Sequence, residues 1–297
     1  MSSLSSNSSL PDGFRWIVGR KFKDDSNPAY PMPTDEEELS RMDLQRYMIR
    51  NYVAPVQESL TRGIKVLDAG FVMVFVPIAH LTCGTGTWSL EMAKEFPKSQ
   101  FTAIDIIECY DTALNMAPPN LTFSVADIRT LPFPNNTFDY VFQGLAMGSF
   151  RIHEWPGVIS ELVRVTKPGG WVELFETEKA PKNTGPVTLA EMMEMRDINI
   201  NYLFEKEDAL QVAGLKDVQR IIRSMPIGWG PEKSTEGTVK GVIGFIQAVK
   251  PQMVLALGLG EDEYDEMVYA CEAESKVYKQ FWDHISCFGR KPSANQI

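Results

Sequence analysis

The sequence predicts an α/β fold: a seven-stranded, mostly parallel sheet with flanking helices, an N-terminal helical extension and a helical insertion before the last strand. Three observations lead there. Five short β-rich runs, at 64–69, 101–106, 121–126, 138–143 and 171–176, alternate with helical patterns, as parallel strands joined by crossover helices do. Two further runs, near 218–223 and 281–288, bring the strands to seven, and the stretch between them has helical spacing. A chain of 297 residues, 44% hydrophobic and 23% charged, is long and apolar enough to bury a full core.

In chain order, residues 1–30 mix Ser, Asn, Pro and charge without periodicity and are expected to form a disordered tail. Residues 31–60 are expected to be a helical extension. Thr34 followed by Glu36, Glu37 and Glu38 is a capping signal, and Leu39, Met42, Arg46 and Ile49 share one side of a helix through Asn51. The core is assigned to 61–230. After its first strand, Trp88, Met92, Ala93 and Phe96 give a helical stripe that Pro97 ends. Pro156 suits a first helical turn, and Val158, Ile159, Leu162 and Val163 form that helix's buried face. Lys167-Pro168-Gly169-Gly170 then turns the chain into the fifth strand. A long helix is expected around 187–204, and 210–214 lead to the sixth strand. The insertion, 231–279, holds helical segments at 238–257 and 262–279, leaving 280–297 for the last strand and C-terminal tail.

Composition narrows the partners. With 29 basic against 39 acidic residues the net charge is −10, so no general positive field exists to neutralise phosphates, and no nucleic acid partner is expected. The four cysteines, Cys83, Cys109, Cys271 and Cys287, lie far apart without CxxC spacing, which reads as reduced thiols and no metal site. The longest uncharged apolar run, 71–79, is far short of the roughly 20 residues that cross a bilayer. The serine-rich start lacks the basic and apolar regions of a secretory signal, so no membrane association is expected and the cytoplasm or nucleus is the expected compartment.

The chemistry concentrates in Val66-Leu67-Asp68-Ala69-Gly70 and, after an interruption, Cys83-Gly84-Thr85-Gly86-Thr87-Trp88. Without residues 71–82 the string reads VLDAGCGTGTW. Glycines there let backbone approach a ligand closely and accept positive φ, and amides at the following helix start can hold a carboxylate. Dinucleotide-binding folds also place GxGxxG between strand and helix. Here the third glycine of that fingerprint would fall at Thr87 or Ser89, and Asp68 sits on the strand before the loop.

The restored string resembles the first motif of class I S-adenosyl-L-methionine-dependent methyltransferases, whose Rossmann-like fold has the layout predicted above. Other motifs follow in that family's order. Asp105 ends the second strand, where a carboxylate accepts paired ribose hydroxyls; capping a turn is the other reading of its position. Asp127-Ile128 follows the third strand, and Leu131-Pro132-Phe133-Pro134-Asn135-Asn136-Thr137-Phe138-Asp139 resembles the segment leading into the fourth. Gln143 ends that strand facing the site, and the run from Glu161 to Trp171 resembles the helix, turn and strand completing the core. The resemblance implies S-adenosyl-L-methionine as cofactor, held by Asp68, Gly70, Cys83, Gly84 and Gly86 at the amino-acid end, Asp105 and Ile106 at the ribose, Asp127 and Ile128 at the adenine, and Gln143. Asp43-Leu44-Gln45-Arg46-Tyr47, Tyr52-Val53-Ala54-Pro55 and Phe288-Gly289-Arg290-Lys291-Pro292 look like fungal methyltransferases of secondary metabolism.

The function this implies is methyl transfer to a small-molecule acceptor. The sulfonium already activates the methyl group, so the protein chiefly aligns the acceptor. His153, after the fourth strand, is a candidate base or a cap for the helix at Glu154-Trp155-Pro156, whereas His284 reads as a packed residue. Met192, Met193, Met195, Trp229, Phe245 and Trp282 either wall an acceptor pocket or pack the core. Residues 71–82 lengthen the step from Asp68 to Gly84 to sixteen positions. They read as retained intron or gene-model error, or as a genuine insertion that weakens or abolishes cofactor binding. The second option leaves a methyltransferase-like module acting with a regulatory protein partner.

Overall fold

A computed structural model of the protein describes residues 14–17, 20–23, 52–71, 86–106, 111–146, 150, 152–178, 182–183, 206–230 and 232–293. Within the stretch read as a tail, β1 (Phe14–Ile17) and β2 (Arg20–Lys23) pair as an antiparallel hairpin. The helices expected through Asn51 and around 187–204 lie outside the described residues. A short α1 (Gln57–Arg62) leads into β3 (Lys65–Phe71), and α2 (Thr87–Glu95), β4 (Gln100–Asp105), α3 (Asp111–Met116) and β5 (Leu121–Val125) follow. Then come β6 (Phe138–Gly144), α4 (Trp155–Val165), β7 (Thr166–Thr177), α5 (Lys206–Val212) and β8 (Lys216–Pro226). Between β8 and the closing β9 (Phe281–Arg290) stand α6 (Glu232–Leu257) and α7 (Glu261–Val277), the two helices anticipated before the last strand.

The seven strands lie in the order β5-β4-β3-β6-β7-β9-β8. The first five run parallel, and β9 is antiparallel to both β7 and β8. This is the Rossmann-like sheet that the sequence predicts. β7 starts earlier than expected because the Lys167–Gly170 turn bulges within the strand: pairing steps from Phe138↔Thr166 to Tyr140↔Trp171.

Alternation along the strands sends successive side chains to opposite layers. On one face Tyr140, Phe142, Phe175 and Phe288 pack with Val56, Leu60 and Trp88 and with Ile246, Met253 and Tyr264 of the inserted helices. On the other, Val141, Val172, Leu174 and Ile285 pack against Val158, Ile159 and Leu162 of α4 and Leu210 of α5. The fully buried Glu173 fastens the segment before α1 to the middle of the sheet. Its carboxylate accepts the N–H of Val53 at 2.9 and 3.0 Å, the N–H of Ala54 at 2.8 Å and the Tyr140 hydroxyl at 2.8 Å. Burial pushes that carboxyl up from its ordinary range, against the pull of these bonds. No helix among the described residues is long and apolar enough to cross a membrane.

Candidate functional site

Because β3, β4, β5 and β6 are parallel neighbours, their carboxyl ends share one edge, and the topology reverses direction between β3 and β6. Open α/β sheets bind ligands in the crevice at such a switch point. Asp68 lies there, fully buried; its Oδ1 accepts the Gly70 N–H at 3.3 Å and its Oδ2 accepts the Ser89 hydroxyl at 2.5 Å. A register shift between Asp68 and Phe71 bulges the strand, and Gly70 takes φ 107°. Gly86 is the N-cap of α2 at φ 76°, in the left-handed region that favours glycine. Trp88 stacks on Phe142 of β6 with ring centroids 4.3 Å apart and planes at 9°. The strand and helix on either side of the interruption therefore meet through Asp68 and Ser89, and the helix also packs on β6. Cys83 and Gly84, the predicted loop residues between them, lie outside the described residues.

Asp105 is the fully buried last residue of β4, with the partly exposed Ile106 after it. Beyond β5 the expected adenine-side residues make local contacts. Asp127 caps a short 3-10 turn (Ile128–Thr130), accepting the Arg129 N–H at 2.8 Å, and pairs with the Arg129 guanidinium, also at 2.8 Å. Arg129 reaches on to Glu154 at 3.1 Å. The carboxylate predicted to meet an adenine amino group is thus already engaged. The Ile128 side chain, 1% exposed, lies in the core layer under α4 rather than at the edge. Gln143 is buried, and its side-chain amide, with the oxygen turned toward the backbone, would accept the N–H of both Gly144 and Ala146 at 3.2 Å.

His153 is exposed in a 3-10 turn before α4. The helix N-cap is Glu154 and has no side-chain capping bond, so the capping role anticipated for His153 is not seen. His284 is buried and stacked on Phe175 at 5.7 Å and 6°, and burial pushes its imidazole down to about 4. Trp282 and Trp229 donate their indole N–H groups to the carbonyls of Glu178 and Gln280, at 2.8 and 2.5 Å, which anchors them within the fold. Phe245 falls in α6, and Met192, Met193 and Met195 lie outside the described residues.

Sequence reasoning missed Ser89, considered only as the place of a missing glycine, and missed a buried ion pair at the end of β7. There Glu176 Oε1 accepts the Ala146 N–H at 3.0 Å and lies 3.0 Å from Lys206 Nζ. Lys206 sits 4.2 Å over the Trp155 ring, and burial lowers its pKa. One signal was visible: a central strand reading Trp171-Val172-Glu173-Leu174-Phe175-Glu176 places two carboxylates in an apolar run, and each requires a partner.

A family model described as a methyltransferase domain matches residues 78–170. The secondary metabolism regulator LAE1 of Cochliobolus heterostrophus is 25% identical over 76% of this chain and 73% of its own length. The methyltransferase pytC of Aspergillus terreus is 27% identical over 59% of this chain and 50% of its own. The protein-methionine methyltransferase laeA of Emericella nidulans is 26% identical over 61% and 46%. The chain thus spans about half the length of the latter two relatives. Among solved structures, Haemonchus contortus phosphoethanolamine N-methyltransferase 2, in complex with S-adenosyl-L-methionine, superposes with a TM-score of 0.50 at 17% identity. That match covers 86% of this chain and 57% of that one, a likeness of fold. Sheet order, the glycine-flanked switch point and the matched domain together make the chain similar to the class I S-adenosylmethionine-dependent methyltransferases.

Proposed function

We propose that the chain binds S-adenosyl-L-methionine across the carboxyl ends of β3, β4 and β6 and transfers its methyl group to a small organic acceptor, at an oxygen, nitrogen or carbon of a secondary metabolite. The observation that carries this reading is the contact of Asp68 with Ser89, which joins the two halves of the glycine motif across residues 71–82. The residues present suit the cofactor: two fully buried carboxylates end adjacent strands, and two glycines at positive φ flank the switch point. Asp68, Gly70 and Gly86, with Cys83 and Gly84 of the same motif, would hold the amino-acid end. Asp105 and Ile106 would hold the ribose, and the Asp127-Ile128 turn and Gln143 would border the base and the methyl-bearing side. When bound, the cofactor supplies an activated methyl group. The protein's own part is alignment and exclusion of water, so no dedicated base is required. The test is calorimetric: the full chain and a Δ71–82 variant are titrated with S-adenosyl-L-methionine. Binding by the full chain supports the reading; a folded chain that binds nothing, in both forms, overturns it.

A second reading is favoured by the relatives' names: several are secondary metabolism regulators and one is a protein-methionine methyltransferase. In it the acceptor is a protein, or the domain serves as a regulatory partner. Incubating purified chain and cell extract with methyl-labelled cofactor separates the readings. Label in the small-molecule fraction supports the first, label on protein supports the second, and no label from a folded chain leaves the regulatory module.

A further inference from the structure

The turn leaving β6 is held in an unfavourable conformation at the edge where the cofactor and acceptor are proposed to meet. Leu145 has φ 52°, in the left-handed region, although it is neither glycine nor asparagine, and its side chain is 1% exposed. Such a residue persists only where its surroundings over-determine it. Two bonds do so: the Leu145 N–H donates to the Phe175 carbonyl at 2.6 Å and the Ala146 N–H donates to Glu176 Oε1 at 3.0 Å. The Gln143 side-chain amide lies beside the same turn and, with its oxygen turned inward, would accept the N–H of both Gly144 and Ala146 at 3.2 Å. Only one of these acceptors is charged. Glu176 is 2% exposed, and a carboxylate so deeply buried requires a partner. Lys206, brought in by α5, lies 3.0 Å from Oε1, its side chain 3% exposed, though its Nζ makes no well-directed hydrogen bond, so the pair is held by charge.

We propose that Glu176, held in place by Lys206, is a positioning residue: its acceptor oxygen fixes the Gln143–Ala146 turn and thereby the side of the cofactor site at the end of β6. This rests on the cofactor reading above for its consequence, but the geometry of the turn stands apart from it. The ion pair links α5, through β7, to the turn, so a helix remote from the glycine motif sets the shape of the site.

Two double variants separate acceptor from charge. Glu176→Gln/Lys206→Met removes both charges and keeps an oxygen for the Ala146 N–H, whereas Glu176→Leu/Lys206→Met removes the oxygen as well. Both should fold, because a buried pair replaced as a unit costs little, while Lys206→Met alone should lower Tm by about 10 °C. The Gln-bearing variant should bind S-adenosylhomocysteine as the parent chain does. The Leu-bearing variant should bind about tenfold more weakly, and its Leu145 and Ala146 amides should exchange hydrogen about tenfold faster. Parent-like affinity and exchange in the Leu-bearing variant would overturn the proposal. A folded parent chain that binds no S-adenosylhomocysteine defeats the cofactor reading instead, and the exchange comparison then decides the positioning role alone. Should the Leu-bearing variant not fold, Glu176→Asp, which withdraws the carboxylate by one methylene, is read by the same exchange measurement.

Discussion

His284 lies flat on Phe175 with its imidazole pushed down to about 4 by burial. Its unfolded value is near 6.5, so between pH 6.5 and 4 the unfolded chain takes up a proton that the folded chain refuses, and stability falls as pH falls. From pH 7 to 4.5 this linkage removes about 2–3 kcal/mol. Urea unfolding at the two pH values should show that loss in the parent chain and a loss smaller by that amount in His284→Gln; equal losses would mean that the folded imidazole titrates normally. Glu173 works in the opposite direction: its carboxyl is pushed up by burial, so its contribution to stability is fullest at low pH and declines as pH rises through its folded pKa. Glu173→Gln presents an amide NH₂ to the donors of Val53, Ala54 and Tyr140, and should cost about 1–3 kcal/mol at neutral pH, with faster amide exchange at Val53 and Ala54. Unchanged unfolding and exchange would show that the bonds contribute nothing. At this scale Asp68, Gly70, Gly86 and Asp105 were legible in the sequence because each occupies a fixed offset from a strand end. Ser89, Glu176 and Lys206 were not, because each acts through a partner distant along the chain that only the folded topology brings near.

Among the elements, all seven strands of the main sheet stand where β-rich runs place them: the buried parallel strands read as apolar runs, and the antiparallel β8 and β9 as β-rich runs on either side of the helical stretch. The hairpin of β1 and β2 went unread because its strands, Phe-Arg-Trp-Ile and Arg-Lys-Phe-Lys, are short and heavily charged, and pairing rather than composition defines them. Two glycines thirteen positions apart, Gly157 and Gly170, offer an element-level test of opposite signs. A Cβ at Gly170 would stand 2.7 Å from the Asp139 carbonyl oxygen and 2.9 Å from Thr166 Cγ2, whereas one at Gly157, in α4, would meet nothing within 4 Å. Gly170→Ala should therefore destabilise by about 1–3 kcal/mol, and Gly157→Ala should stabilise by about 0.5–1 kcal/mol. Thermal unfolding reads both; a neutral Gly170→Ala would show that the bulge between β6 and β7 yields freely.

For the molecule as a whole, the resemblance could be read despite a broken first motif because the later motifs lie along successive strands and connections of the sheet. The interruption itself obscured only whether its flanks meet. They do, through Asp68 and Ser89, which stand 21 positions apart, or nine without the twelve residues 71–82. The entropic cost of closing a connection grows only with the logarithm of its length, by about 0.6 kcal/mol per doubling. Going from nine positions to 21 therefore costs about 0.7 kcal/mol, a small fraction of the stability of a domain this size. The Δ71–82 variant should accordingly unfold at a denaturant concentration close to that of the full chain; a gap of several kcal/mol would mean that the extra residues strain or brace the fold. Pinned at its base, the connection is free to vary in length on an evolutionary timescale without disturbing the sheet, so any difference in cofactor affinity between the two forms belongs to the chemistry of that connection and not to the scaffold beneath it.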